Sequence, residues 1–131
     1  MRAFITAAVV IVCPLAGLAV WAQEGKEQEM NFWMKKKLDY SQNILSGLAT
    51  ADFGAIGKNA ESMARLGKLE TFIRRSNAEE YRAQLRVFLA ANKELTLAAE
   101  KKNIDGATLA FTQMMLSCVN CHKALRDEKK K

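Results

Sequence analysis

Cys118, Val119, Asn120, Cys121 and His122 stand near the far end of the chain and read C-x-x-C-H. Two thiols at this spacing can each add across a vinyl group of a haem, forming a carbon–sulfur bond. The adjacent imidazole nitrogen is an axial ligand for the iron. On a helix Cys118 and Cys121 are related as i, i+3, and Cys118 and His122 as i, i+4. All three then leave one face, towards one edge of a flat macrocycle. The residues point to one covalent haem c. A disulfide between Cys118 and Cys121 is the plain alternative, but it closes a tiny loop and leaves His122 unexplained.

Other chemistries fit less well. Zinc wants about four nitrogen or sulfur ligands, more than Cys118, Cys121 and His122 supply unless two chains share the ion. Thiol oxidoreductases place C-x-x-C at a helix start in an α/β fold. No Ser/His/Asp arrangement, carboxylate cluster or Gly-rich phosphate loop is present, so nothing supports an enzyme acting on a substrate.

The start of the chain bears on the same question, because haem is attached to thiols outside the cytoplasm. Arg2 precedes an uncharged, mostly apolar run from Ala3 to Val20, and Val20-Trp21-Ala22 offers small residues at −3 and −1 before Gln23. This reads as a secretory signal over residues 1–22, cleaved after Ala22, with export to the periplasm or an equivalent compartment. The competing reading is a retained membrane anchor, since the run is about as long as a bilayer requires. Cys13 sits inside the apolar run after Val12, which is wrong for a lipoprotein site.

The remaining residues, 23–131, suit one domain. The chain is 50% hydrophobic with a single proline, which favours helices over sheet. The formal charge of +6 allows acidic protein partners. Nucleic acid is not indicated, because the basic residues are interleaved with acids and no recognition motif appears.

Four amphipathic segments follow. Helix A, about 28–49, carries Met30, Met34, Leu38, Ser41, Leu45 and Leu48 in steps of four and three. Trp33, Tyr40 and Ile44 widen that stripe, and Lys35, Lys36 and Lys37 are expected in solvent. Asp52 is an N-cap for helix B, which carries Phe53, Ile56, Ala60, Met63 and Leu66 and extends past a weakening Gly67 to about residue 73. Asn77 and Glu80 have capping-box spacing before helix C, with Tyr81, Leu85, Phe88, Asn92, Leu95 and Ala99. Asp105 is expected to cap helix D, with Ile104 and Leu109 as a hydrophobic staple. Its inward stripe is read as Phe111, Met114 or Met115, Cys118, Cys121, His122 and Leu125.

Short connections between four such helices predict an all-α, antiparallel up-down-up-down bundle with the haem site at its C-terminal end. From the end marked by the A–B and C–D turns, His122 lies roughly 26 Å away at about 1.5 Å per residue, Met34 roughly 22 Å and Met30 roughly 28 Å. Either methionine comes level with the iron. Each is equally readable as core, as Met63, Met114 and Met115 are.

With its C-terminal C-x-x-C-H, its four helices and Arg126 four residues after His122, the chain resembles the cytochrome c-prime family of class II c-type cytochromes. The resemblance covers nearly all of residues 23–131. Leu125 departs from the aromatic residue common at that place. The family implies that Arg126 lies near the haem and its histidine ligand. It also implies one of two uses, decided by the sixth ligand. In one branch the iron is five-coordinate and takes NO or CO. In the other a helix-A methionine, here Met34, binds the iron and the protein carries electrons to redox partner proteins. The spacing from Met34 to Asp52 resembles the second branch, and His122/Met34 ligation with electron transfer is the expectation adopted. Homodimers through the first two helices are common in the family.

Overall fold

The structure is a computed structural model that describes residues 15–73, 79–128 and 130. Four helices run in order: α1 (Leu15–Thr50), α2 (Phe53–Ile73), α3 (Glu79–Glu100) and α4 (Ile104–Glu128). They pack against one another, with no strand among the described residues. The chain divides at Phe32/Trp33, and the packing described below belongs to residues 33–131. Most of the apolar leader, the Met30 side chain and Asn77 lie outside the described residues. No helix among the described residues is long and apolar enough to cross a membrane.

The connections α1–α2 and α3–α4 are built alike. Ala51 and Lys102 both adopt left-handed backbone, with φ of 54° and 53°. The next amide then reaches back over the helix end, Asp52 N–H to Gly47 O at 2.9 Å and Asn103 N–H to Ala98 O at 2.9 Å. This is the Schellman ending, in which two orphan carbonyls of the last turn regain partners. The residue after each left-handed position caps the following helix. Asp52 accepts from Ala55 N–H at 2.9 Å and Asn103 from Gly106 N–H at 3.0 Å. The cap of α4 is therefore Asn103, not Asp105. The expected staple is not made either, since Leu109 is 63% exposed.

α3 is the central element, packed on both α2 and α4. All six residues of its stripe, Tyr81, Leu85, Phe88, Asn92, Leu95 and Ala99, are buried. They meet Ile44 of α1, Ile56, Ala60 and Met63 of α2, and Ala107, Ala110 and Met114 of α4. Gly67 does not weaken α2. A Cβ there would stand 2.8 Å from the Phe88 ring and 2.9 Å from Leu89, so its missing side chain is what lets α2 approach α3.

α1 is turned from its expected orientation. Leu38 and Leu45 are 56% and 57% exposed, whereas Lys37, Ser41, Ile44 and Leu48 line the inward side. At about 100° per residue the true inward sector lies roughly 80° from the direction of Leu38 and Leu45.

Candidate functional site

α4 carries the C-x-x-C-H residues in its second half, past the buried Ala107, Ala110, Met114 and Ser117. Cys118 and Cys121 are half-buried, pack against the core and are not joined in a disulfide. His122 is exposed rather than buried with the stripe, as are Arg126 and Met115. The reason is angular. Cys118, Phe111, His122 and Met115 span roughly 60° of the helix at one border of its buried face, and His122 and Met115 fall on the outer side. This border is a lip between core and surface. The Cys118 thiol on this lip touches the interior on one side and can react on the other, whereas Cys121 lies within the inward sector near the end of the helix.

Burial pushes the Cys118 thiol above its ordinary pKa. The charge of Lys37 opposes that rise and the charge of Glu70 adds to it. Lys37 of α1 and Glu70 of α2 thus act on the same corner of the molecule as Cys118. They form an ion pair whose side chains are only 16% and 12% exposed. Glu70 uses both oxygens, taking Lys37 on Oε2 and the hydroxyl of the buried Tyr81 on Oε1. The Lys37 ammonium also lies 5.1 Å from the centre of the Phe88 ring. Lysine 37 is therefore not solvated as expected, although Lys35 and Lys36 are. A sign of this was present in the chain, because positions 37, 41, 44 and 48 keep the four-three-four spacing of an inward stripe. Glu70 and its bond to Tyr81 gave no such sign.

Met34 is half-buried and precedes Lys37 by one helical turn. Among the described residues no three His, Cys, Asp or Glu side chains converge to hold a metal ion. Cys118, Cys121 and His122 radiate along one helix instead of meeting at a point. That donor set suits a flat cofactor that brings its own four equatorial nitrogens and needs only an anchor and an axial base. Met115 and Val119, beside these residues on α4, leave apolar surface exposed, which is consistent with a cofactor of that kind. The residues present fit a haem.

No known family, curated protein or solved structure matches the chain.

Proposed function

We propose that this protein is an exported, monohaem c-type cytochrome that carries electrons between redox partner proteins. The observation that carries the reading is the pair of unjoined, half-buried thiols one turn apart on α4, immediately before an exposed His122. In this reading Cys118 and Cys121 hold the haem by thioether bonds. His122 and Met34 would supply ligands to the iron, and Arg126 would lie near the haem. Bound haem supplies a one-electron ferric/ferrous couple.

The chain's own residues do the rest. Thioether ligation by Met34 favours the ferrous state and keeps small ligands out. Tyr81, Leu85 and Phe88 exclude water from the inner side. The packing of four helices against one another supports this assignment, and the reading takes them as antiparallel. In that arrangement Lys37 and Cys118 lie at similar depths, roughly 20 Å from their turns, which agrees with the effect of the Lys37 charge on the Cys118 thiol. Residues 1–22 act as the export signal, so that attachment takes place outside the cytoplasm.

The test is chemical and spectroscopic. Colour should survive acid-acetone extraction, and the ferrous protein should show a low-spin spectrum unchanged on brief exposure to CO. Extraction of the colour would overturn covalent attachment. Immediate CO binding would instead identify a five-coordinate, gas-binding haem.

A further inference from the structure

The most buried ion pair described in the molecule, Lys37–Glu70, is bound to Tyr81 and faces Phe88, two members of the core against which Cys118, the thiol that would anchor the haem, is packed. A buried ion pair is a poor device for stability. Desolvating both charges offsets most of their attraction, and apolar side chains of similar volume do as well. Here the pair is also fully elaborated. Glu70 is held by Lys37 and by Tyr81, and Lys37 faces Phe88. Lys37 and Tyr81 come from inward positions of two different helices to meet this one carboxylate. Such an arrangement fixes two opposite charges in a low-dielectric corner, where each acts strongly on a neighbouring charge.

We propose that the Lys37–Glu70–Tyr81 cluster sets the reduction potential of the haem held on Cys118, Cys121 and His122, an inference that rests on the haem reading above. Oxidation adds one positive charge at the iron. The Glu70 carboxylate favours the oxidised state and the Lys37 ammonium the reduced state, so their balance leaves the potential between two extremes. Tyr81 donates to Glu70 and so withdraws part of the carboxylate's charge from the site. Lys37, Glu70 and Tyr81 are positioning residues here; none of them ligates the iron.

The experiment is a potentiometric titration of the purified haem-loaded protein and its variants. Glu70→Gln should raise the potential and Lys37→Gln should lower it. The double variant should return close to the parent, and removing an exposed charge in Lys93→Gln should move it far less. A merely structural role would let water in and shift both single variants in the same direction. That result, or no shift in either, would overturn the proposal. Tyr81→Phe keeps the volume, and it is the deciding variant if the charge variants do not fold. It should lower the potential, and an unchanged value would count against the cluster. Urea midpoints of the haem-free variants give a second readout, since both single losses should lower them and only the potentials should separate in sign. If the parent itself bears no covalent haem, the functional reading fails and takes this inference with it. A coloured parent with same-signed shifts removes this inference alone.

Discussion

At the scale of single residues, the behaviour of Cys118 follows from its half-buried place on α4. Its thiol pKa is raised by burial, so the folded chain holds the proton at a pH where the unfolded chain releases it. The associated stability is fully present below the unfolded thiol value, about 8.5, and is lost as the pH climbs through the higher folded value. In haem-free protein with Cys121→Ser, alkylation of Cys118 should therefore begin at higher pH than in urea-unfolded chain. Coincident pH–rate profiles would contradict the burial effect. Lys37 allows a second test. Truncating it to Ala strands Glu70 in a corner that is 12% exposed, which should cost about 3 kcal/mol in urea unfolding. Replacing Lys37 and Glu70 together by Met and Leu should cost much less. If the double variant loses as much as the single one, the pair does contribute stability. Legibility at this scale was uneven. The C-x-x-C-H residues announce themselves by type and spacing, whereas Lys37 hides because a lysine is ordinarily a surface residue. Glu70 hides more completely, because its partner Tyr81 belongs to another helix.

At the scale of elements, the two like-built turns explain why the helices stop where they do. Neither left-handed position is a glycine, so Ala51 and Lys102 each pay a conformational penalty to complete the ending. Ala51→Gly and Lys102→Gly should each stabilise the fold by roughly 0.5–1 kcal/mol, read as an upward shift in the urea midpoint. Asp52→Ala and Asn103→Ala should each destabilise it by about 1 kcal/mol through loss of the N-cap. No response to either glycine change would mean that the turns open in solution. Gly67 predicts the reverse of an ordinary helical glycine. Gly67→Ala gains helix propensity, but its methyl meets Phe88 and Leu89, and overpacking of about 1–3 kcal/mol should win. The end of α2, all of the α3 stripe and the Asp52 cap were readable from spacing and residue type. The facing of α1 was not, because its apolar residues cover too wide a sector to fix one direction. Tertiary packing chose Ile44 over Leu38 and Leu45, and Asn103 over Asp105 as the cap of α4.

At the scale of the whole molecule, four helical periods were enough to foresee an all-helical bundle, since each apolar stripe needs a partner. The use of the bundle depends on one end of it, where α1 and α4 present Met34 and His122 to a haem in the proposed function. Charge decides how a partner would reach that end. The chain carries a formal +6, and Lys123, Arg126 and Lys130 stand exposed on and just beyond the last turns of α4. A field of this sign steers anionic partners towards the end of α4 and repels cationic ones, over a range of about 10 Å at 0.1 M salt. Reduction by an anionic donor, followed by stopped flow, should therefore be fastest at low ionic strength and slow as salt is added. A cationic donor should show the opposite trend. Lys123→Glu with Lys130→Glu should flatten or invert both trends and leave the spectrum of the haem unchanged. Because electrostatics acts mainly on encounter, the second-order rate constant should change and the reduction potential only slightly. Salt trends of the same sign for both donors would show that electrons enter elsewhere on the surface. Partner docking would then have to be sought away from the end of α4.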